Sequence, residues 1–570
     1  MSKEQAELRR WLEEVTDPEL SAELLSIRNE EKEVHERFYR SLEFGTGGLR
    51  GELGAGTNRM NIYTVRQATQ GFAAYLLTQD EKPSAAISYD SRHQSDVFAR
   101  ETARVLAANS IKVYLYPHLM PTPALSFAVL DRHCTGGVMV TASHNPARYN
   151  GYKAYAADGA QISGHVAAAV SEEIEKTDIF RDVKLADFEE ALADGRIEYI
   201  GDALIERYYA AVMAQALRPE LGKAAGLRLV YTPLNGSGLV PVMTVLKRMG
   251  HTDITVVPEQ EQPNGDFPTC PYPNPEILEA MQLGLNLCEK LGADLLLATD
   301  PDSDRVGTAV LQNGTPRLIS GNEMGVLLLD YICRTRLELH KMPENPVAVR
   351  SIVSTTMTDA IAAHYGVEMR QVLTGFKYIG EQIAHLEAEG HPERFIFGFE
   401  ESYGYLAGGY VRDKDAVVAS MLICEMAAWY KGQGKNLGEA LDDLYAQYGY
   451  YFNKVDSYTF PGSDGMEKMA ALMETLRTEL PIAIGGRAVT GHTDYESGIR
   501  YEDGEGETPT GLPASNVMEF RLGKEGSLVA RPSGTEPKLK FYYSLRAADR
   551  PTAEKAYGEI KASVEDWLGL

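Results

Sequence analysis

A short polar segment at residues 141–146, TASHNP, contains the first residue whose type and position suggest chemistry, Ser143. The segment follows the apolar run GGVMV, and a strand that ends in a polar loop presents side chains at the carboxyl edge of a sheet, where α/β folds bind ligands. Pro146 favours a turn, so we expect the Ser143 hydroxyl at the surface. Lys153 follows closely and can bring positive charge to a phosphate. A plain Ser/Asn turn fits equally well. A hydrolase triad with the adjacent His144 fits less well, because the pattern G-x-S-x-G is absent.

Three carboxylates alternate along the next polar segment, at Asp300, Asp302 and Asp304, directly after the apolar run ADLLLAT. Carboxylates spaced in this way on a tight loop can converge on one hard cation, and oxygen ligands favour Mg²⁺ or Ca²⁺ over zinc. An EF-hand is excluded, because Arg305 stands where that loop needs glycine and Leu311 where it needs glutamate. Three protein ligands leave positions open for a phosphate oxygen, which favours a catalytic Mg²⁺ site over a solvated acidic turn.

A third polar segment, GFEESYG at residues 398–404, follows the strand-like run RFIF. The carboxylate of Glu400 and the hydroxyl of Ser402 suit hydrogen bonds to vicinal sugar hydroxyls. Arg412 and Lys414, a little further along the chain, offer positive charge. On chemistry alone, an ordinary acidic turn explains this segment better than a sugar site does.

A fourth segment, RPSGTEPK at residues 531–538, combines cations, hydroxyls and a glycine. Arg531, Ser533, Thr535 and Lys538, with the backbone N–H groups between them, can cradle a phosphate. The segment is not a P-loop, since G-x-x-x-x-G-K is absent. A surface turn is the competing interpretation.

The charge of the chain limits the partners of these segments. Among 570 residues, Asp and Glu number 81 and Lys and Arg 56, which gives a net charge of -25. Such a surface repels nucleic acids and anionic membranes, so we expect neither as a partner. It also repels small phosphorylated substrates, so a site for them needs its own basic residues. Apolar residues make up 44% of the chain, enough for several ordinary cores.

The cysteines and the start of the chain predict a cytoplasmic location. The five cysteines are widely spaced, without a C-x-x-C pair, which is typical of proteins in a reducing compartment. The first residues, MSKEQAELRRWLEE, have no apolar signal core and predict a polar amphipathic helix. No apolar run is long enough to cross a bilayer.

Three segments share one pattern, which predicts the fold class. Starting at Ala85, Leu227 and Pro346, each reads as a β-branched strand, a small polar loop, a helix of period near 3.6 and a second strand. This pattern predicts three βαβ units in mixed α/β sheets. After Tyr450 strands alternate with turns and a final helix, which predicts a separate α+β domain. The Pro/Gly-rich stretches 263–275 and 504–513 are predicted as loops.

Taken in this order, the four polar segments resemble those of the α-D-phosphohexomutase superfamily, the phosphoglucomutase/phosphomannomutase family. The branch most similar is that of phosphoglucomutase-2, phosphopentomutase and the bacterial phosphoglucomutases. GTGGLR at residues 45–50 and TGFK at 374–377 add to the resemblance, which covers nearly the whole chain. It implies three related α/β domains and a C-terminal α+β domain around a central cleft. The implied bounds are 1–203 with the phosphoserine loop, 204–319 with the metal loop, 320–450 with the sugar loop, and 451–570 with the phosphate-binding loop.

The resemblance also implies a role for each matching residue. The catalytic residues are Ser143, which carries the phosphoryl group, and His144, Lys153, Arg50 and Arg305. The ligands of Mg²⁺ are Asp300, Asp302, Asp304 and Ser143. The substrate-binding residues are Thr374, Gly375, Glu400, Ser402, Lys414, Arg531, Ser533, Gly534 and Thr535. The chain departs from many relatives at Pro301, Ser303 and Phe399, where they have glycine.

The activity implied is an intramolecular phosphotransfer between glucose 1-phosphate and glucose 6-phosphate. It passes through a phosphoserine and glucose 1,6-bisphosphate, which also serves as activator. Glucose-specific relatives tend to read Glu-Glu-Ser in the sugar loop, and this chain has Glu401 at the middle position. Phosphopentomutase and phosphomannomutase are the main alternatives, and a sugar-bisphosphate synthase or a phosphatase is less compatible. A non-enzymatic sugar-phosphate-binding protein is expected to have lost Ser143 or the carboxylates, and neither is lost.

Overall fold

A computed structural model describes residues 2–45, 47–461, 464–533 and 537–570. The chain forms two units. The first unit comprises Met1–Ser320, Ile379–Phe397 and Ser402–Asn436, and the second comprises Gly321–Tyr378, Gly398–Glu401 and Leu437–Leu570.

The first unit opens with three short helices: α1 (Lys3–Glu14), α2 (Pro18–Ile27) and α3 (Glu31–Phe38). The side chain of Ser2 accepts the Gln5 N–H at the start of α1, as expected of a helix N-cap. Trp11 is fully buried, with the Phe38 and Phe180 rings at 5.8 and 5.4 Å. The predicted amphipathic N-terminal helix is therefore confirmed.

A six-stranded mixed sheet follows in the first unit. Its elements are β1 (Gly48–Glu52), α4 (Ile62–Gln79), β2 (Ser84–Tyr89), α5 (Ser95–Ala108), β3 (Lys112–Leu115), α6 (Thr122–Asp131), β4 (Gly136–Val140), β5 (Tyr149–Ala156), α7 (Gly164–Lys176), α8 (Phe188–Ala193) and β6 (Ile197–Tyr199). The strand order is β1-β5-β4-β2-β3-β6. β2 runs parallel to β3 and β4, whereas β5 is antiparallel to β1 and β4. Every residue of β4 is buried, as expected for a central strand covered on both faces.

A five-stranded sheet is the second sheet of the first unit. Its elements are α9 (Asp202–Met213), α10 (Leu221–Ala224), β7 (Arg228–Thr232), α11 (Leu239–Arg248), β8 (Asp253–Val256), α12 (Pro258–Glu261), α13 (Leu278–Leu291), β9 (Leu295–Thr299), β10 (Val306–Gln312) and β11 (Thr315–Ile319). The order is β11-β10-β9-β7-β8, and β7 runs parallel to both β8 and β9. The apolar strand β9 is fully buried, so its last residues deliver the Asp300 segment to the carboxyl edge of this sheet.

The next stretch of chain contributes elements to both units. They are α14 (Gly321–Glu338), β12 (Val347–Ser351), α15 (Met357–Tyr365), β13 (Glu368–Val372), α16 (Phe376–Ala388), β14 (Phe395–Glu400), β15 (Gly404–Leu406), α17 (Ala416–Lys431) and α18 (Leu437–Tyr448), with a 3₁₀ turn at Pro392–Arg394. In the second unit β12 and β13 pair in parallel. Helix α15 ends at Gly366, whose left-handed φ of 68° is typical of a glycine at this position.

The C-terminal part of the second unit is rich in β-structure. Its elements are β16 (Tyr450–Thr459), α19 (Gly465–Thr478), β17 (Ala483–Ile484), β18 (Arg487–Ala488), β19 (Gly491–Asp494), β20 (Ile499–Glu502), β21 (Gly506–Pro509), β22 (Met518–Arg521), β23 (Gly526–Pro532), β24 (Lys538–Ala547) and α20 (Arg550–Leu568), with a 3₁₀ turn at Gly523–Glu525. Seven strands form a sheet in the order β16-β24-β23-β22-β19-β20-β21. The buried faces of this sheet and of α19 and α20 form a core of their own.

The structure confirms most of the predicted organisation. All three βαβ units are present with parallel pairs β2–β3, β7–β8 and β12–β13, and the C-terminal part alternates strands and turns before a final helix. Residues 263–275 form a loop as predicted. The prediction of a loop over residues 504–513 is wrong at residues 506–509, where β21 pairs with β20, whereas the rest of the stretch lies outside helices and strands. The division into four domains stays a prediction. Among the described residues, no helix combines the length and the apolar character needed to span a membrane.

Candidate active site

The Ser143 segment follows β4 at the carboxyl edge of the six-stranded sheet. Ser143 has a φ of 52°, in the left-handed region that costs a non-glycine residue about 1–2 kcal/mol. Its N–H donates to Thr141 Oγ1 at 2.8 Å, which helps to hold this conformation. The predicted surface position of the hydroxyl is wrong: Ser143 is only 5% exposed. The side chain instead faces Asp300 and His144 inside the first unit.

The Ser143 hydroxyl has two polar neighbours. It donates to Asp300 Oδ2 at 3.2 Å, and it lies 3.1 Å from His144 Nδ1. Burial lowers the pKa of His144 well below its ordinary value, and the positive charges of Arg305 and Arg50 lower it further. The imidazole is therefore neutral, and its Nδ1 can share a proton with the serine oxygen.

The three aspartates of the metal segment converge as predicted. Asp300, Asp302 and Asp304 are buried, and one carboxylate oxygen from each lies within 4.8 Å of the others. Asp300 Oδ1 accepts the N–H groups of Asp304 and Arg305, at 3.1 and 3.0 Å, which closes the loop on itself. Ser303 has a left-handed φ of 50°, so the tight turn is made without a glycine.

The donor set of this cluster fits a hard divalent cation. Asp302 Oδ1 and Asp304 Oδ1 are buried and accept no hydrogen bond from any described residue. Buried oxygens without a partner are costly, and coordination of Mg²⁺ would satisfy them. Asp302 Oδ2, by contrast, already accepts from Lys153 Nζ and Thr122 Oγ1, both at 2.9 Å.

Two lysines compensate part of the negative charge of the cluster. Lys153 Nζ lies 3.9 Å and Lys414 Nζ 3.1 Å from Asp304 Oδ2. Burial raises the pKa of Asp300 and of Asp304, and repulsion among the carboxylates adds to both rises. At Asp302 burial acts in the same direction and is the largest single effect, but the charge and hydrogen bond of Lys153, together with hydrogen bonds to Asp300 and Thr122, outweigh it and lower the pKa of Asp302.

A glycine-rich turn after β7 supports the metal segment from behind. The N–H and the hydroxyl of Ser237 both donate to the Pro301 carbonyl, at 2.8 and 2.9 Å. A Cβ on Gly236 would come within 2.4 Å of Pro301 Cα, so only glycine fits at this contact. The sequence predicted neither Ser237 nor Thr122 as site residues. The residues N-G-S-G predict a turn, but the sequence around them does not indicate which other loop this turn contacts.

In the second unit, the sugar segment is partly strand. The strand β14 extends to Glu400, so the interpretation of this glutamate as part of a loop after the strand is wrong. All six residues of β14 are buried. Glu400 Oε1 accepts the Gly375 N–H at 2.7 Å, which brings two predicted substrate-binding residues together. Glu401 Oε2 accepts the hydroxyls of Ser351 and Ser354, at 3.0 and 3.3 Å.

The remaining predicted residues are distributed over both units. In the first unit, Arg50 lies on β1, Ser402 precedes β15, and Arg305 pairs with Glu276 at 2.6 Å. In the second unit, Thr374 precedes α16, Arg531 lies on β23 and Ser533 follows β23 directly. Gly534, Thr535 and the Thr46 of GTGGLR lie outside the described residues.

The first unit thus gathers one constellation from distant parts of the chain. The predicted residues that meet there are Ser143, His144, Lys153, Asp300, Asp302, Asp304, Arg305 and Lys414. A hydroxyl next to a buried carboxylate cluster that could hold a metal ion, with ammonium groups beside it, is suited to phosphoryl transfer, in which positioning and charge neutralisation dominate.

Comparison with known proteins agrees with this chemistry. The chain matches three family models, described as phosphoglucomutase/phosphomannomutase α/β/α domains I, II and III, over residues 41–180, 206–314 and 320–448. It is 38% identical over 510 residues to the phosphoglucomutase of Staphylococcus haemolyticus, covering 89% of this chain and 91% of the relative. The Staphylococcus epidermidis phosphoglucomutase is 36% identical over 537 residues, covering 94% and 96%.

Solved structures show the same fold at low sequence identity. The Paramecium phosphoprotein parafusin, a phosphoglucomutase in an open form, superposes with a TM-score of 0.69 at 17% identity, covering 93% of this chain and 97% of its own. A phosphoglucomutase/phosphomannomutase family protein of Burkholderia thailandensis gives 0.66 at 17% identity, covering 92% and 97%. With three matched domains and relatives of similar length above 30% identity, the chain belongs to the phosphoglucomutase/phosphomannomutase family of the α-D-phosphohexomutase superfamily.

Proposed function

We infer that the chain is a phosphoglucomutase, an isomerase that interconverts glucose 1-phosphate and glucose 6-phosphate. The curated relatives of this name match nearly the whole chain at 36–38% identity. The observation that carries the inference is the contact between the Ser143 hydroxyl and Asp300, 3.2 Å apart, in the aspartate cluster. It sets a phosphoryl-accepting oxygen beside a site for a divalent cation.

We propose that phospho-Ser143 is the phosphoryl donor of the cycle. The free hydroxyl of a bound glucose monophosphate attacks the phosphorus, the bond to Ser143 Oγ breaks, and the proton of the attacking hydroxyl ends on the departing Ser143 Oγ. The product is glucose 1,6-bisphosphate, which reorients in the site and returns its other phosphoryl group to Ser143. His144, through Nδ1 at 3.1 Å, can share a proton with the serine oxygen. Lys153, Arg50 and Arg305 supply positive charge around the transferring group.

Asp300, Asp302 and Asp304 would hold Mg²⁺, with the Ser143 oxygen completing the set. When bound there, Mg²⁺ supplies positive charge that neutralises the phosphoryl oxygens. The unpartnered Oδ1 atoms of Asp302 and Asp304 support this assignment. An Aspergillus fumigatus N-acetylphosphoglucosamine mutase of the same fold was solved with magnesium and GlcNAc-6P.

For the sugar, we propose Glu400 and Ser402 as the main contacts. A mutase must recognise its substrate in two orientations, so its contacts should read the O3 and O4 hydroxyls near the middle of the ring. Glu400 can accept two hydrogen bonds there while Gly375 fixes its other oxygen. The other proposed substrate contacts are Thr374, Lys414, and Arg531, Ser533, Gly534 and Thr535, the last four holding the non-reacting phosphate.

The organisation of the protein completes the proposal. We propose four domains, at 1–203, 204–319, 320–450 and 451–570, and a cytoplasmic location. The five cysteines are free and buried, which agrees with a reducing compartment. Glucose 1,6-bisphosphate would act as activator by phosphorylating Ser143.

The test is intact-mass measurement after incubation with glucose 1,6-bisphosphate, combined with a substrate panel. The wild type should gain one phosphate and Ser143→Ala none, with loss of mutase turnover. Ser420→Ala is the matched control, because Ser420 Oγ in α17 is also buried but has no hydrogen-bond partner among the described residues. Full activity of Ser143→Ala would refute the mechanism. In the panel, a higher kcat/KM for mannose, ribose or deoxyribose 1-phosphate than for glucose 1-phosphate would refute the assignment of the sugar.

A further inference from the structure

An arginine that follows β2 grips the backbone of the Ser143 segment. Arg92 is buried, and its guanidinium donates to the carbonyls of Ser143 at 2.5 Å, Pro146 at 2.9 Å and Tyr149 at 3.0 Å, and also to that of Asn145. Four carbonyls, three of the Ser143 segment and one at the start of β5, therefore accept hydrogen bonds from one side chain. The fork of a guanidinium can reach them together, whereas the single ammonium of a lysine cannot.

A neighbouring aspartate, Asp90, holds the N–H group of Ser143 through Thr141. Asp90 Oδ2 accepts Thr141 Oγ1 at 2.6 Å, and Thr141 Oγ1 in turn accepts the Ser143 N–H at 2.8 Å. Asp90 also accepts the Arg92 N–H at 2.9 Å, and its carboxylate lies 3.4 Å from the Arg92 Nε. Both backbone polar groups of Ser143 are thus tied to one buried ion pair.

A further contact holds the arginine itself in place. The Phe267 ring, from the 263–275 loop, lies 5.0 Å from the Arg92 guanidinium carbon, in cation–π range. Among the described residues, the direct contacts of Arg92 are with backbone carbonyls, with Asp90 and with this ring, and none is with the carboxylate cluster. These contacts fix the shape of the serine loop.

We propose that Arg92, paired with Asp90, is a positioning residue that holds Ser143 in its left-handed conformation, with Oγ facing Asp300. The proposal rests on the proposed function, in which Ser143 carries the phosphoryl group. Phosphoryl transfer needs the donor and acceptor in line, and a misplacement of about 1 Å costs about 100-fold in rate. Loss of the grip should therefore reduce transfer to and from Ser143 and leave the binding of the sugar phosphate unchanged.

The experiment compares Arg92→Lys with Arg104→Lys in the full-length enzyme. Arg104, in α5 of the same unit, also binds a backbone carbonyl, that of Ala186 at 3.0 Å, and a carboxylate, Glu101 at 2.7 Å, so its replacement measures the cost of losing a partly buried guanidinium elsewhere. We expect Arg92→Lys to lower kcat about 100-fold, with the KM for glucose 1-phosphate within about threefold of wild type. Single-turnover transfer from the isolated phosphoenzyme to glucose 6-phosphate should slow by the same factor.

A second variant guards against a folding defect. Arg92→Ala should lose activity and regain part of it with millimolar ethylguanidinium but not with ethylammonium, since only the former restores the fork. The proposal is overturned if Arg92→Lys keeps kcat within about threefold of wild type. It is also overturned if Arg92→Lys and Arg104→Lys lose activity and melting temperature in parallel. Failure of the proposed function would look different, because the wild type itself would then carry no phosphate on Ser143.

Discussion

A buried glycine in α14 and the phenylalanine before the sugar-segment glutamate form a matched pair. Phe399 is 1% exposed, and a Cβ on Gly325 would come within 2.3 Å of its ring carbon Cε2. Real Cβ atoms do not approach so closely, so Gly325→Ala must displace the ring or the helix. Phe399 is therefore accommodated by a glycine on the facing helix.

Two opposing effects decide the outcome of Gly325→Ala. Alanine in place of glycine inside a helix stabilises it by roughly 0.5–1 kcal/mol. Forcing an extra methyl into a packed core costs about 1–3 kcal/mol. We therefore expect a net loss of about 1–2 kcal/mol, which lowers the melting temperature of a domain of this size by about 2–8 °C. Glu400 follows Phe399 directly and binds Gly375, so the KM for glucose 1-phosphate should rise as well.

Thermal unfolding and steady-state kinetics measure these effects. The control is Gly558→Ala in α20, where an added Cβ meets nothing within 4 Å and only the helix term acts, so the melting temperature should rise. The double variant Gly325→Ala/Phe399→Leu should recover part of the loss, since leucine vacates the clashing ring position. A Gly325→Ala protein as stable as Gly558→Ala would refute the packing argument.

Three further predictions concern charge. Asp302→Asn should abolish most Mg²⁺-dependent activity and weaken Mn²⁺ binding in electron paramagnetic resonance titrations; unchanged Mn²⁺ affinity would contradict the metal assignment. Arg531→Ala should raise the KM for glucose 1-phosphate about 10–100-fold, because a charge-assisted phosphate contact contributes roughly 1.5–3 kcal/mol; an unchanged KM and kcat would exclude this role. Asp415 is the buried N-cap of α17, and its burial raises its pKa to about 6. Because the group must ionise in this buried position, the protein loses about 3 kcal/mol of stability as the pH rises from about 4 to above 6. Asp415→Asn, which keeps the N-cap oxygen, should thus raise the melting temperature at pH 7.5 but not at pH 4; equal shifts at both would contradict the raised pKa.

The parts of the fold that the sequence predicted correctly are those that depend on patterns of neighbouring residues. β4 and β9 are continuous apolar runs followed at once by polar residues, so both their burial and the position of the loops at the sheet edge could be predicted. The helices of the three βαβ units likewise begin and end at local signals such as Gly366. Because α/β folds bind ligands at the carboxyl edges of their sheets, the Ser143 segment after β4 and the Asp300 segment after β9 could both be predicted to carry function.

The parts that the sequence did not predict depend on long-range contacts. Thr122 binds Asp302 across 180 positions of the chain, and Arg92 binds the Ser143 carbonyl across 51. No spacing rule connects residues so far apart. The strand β21 was missed for another reason: its residues, GETP, are polar and exposed, and only pairing with β20 distinguishes them from a loop.

The charged side chains around Ser143 determine what a bound cation would have to neutralise. The carboxylates of the cluster and of its ion-pair partners are Asp300, Asp302, Asp304, Asp413 and Glu276, and the cationic side chains paired with them are Lys153, Lys414 and Arg305. Negative groups outnumber positive ones, so these side chains by themselves repel a phosphorylated sugar, as does a chain of net charge -25. Burial is the main cause of the raised pKa values of Asp300 and Asp304, and repulsion among the carboxylates adds to it. A divalent ion on the carboxylate oxygens that accept no hydrogen bond would remove the excess negative charge, and it would thereby couple metal binding to substrate binding.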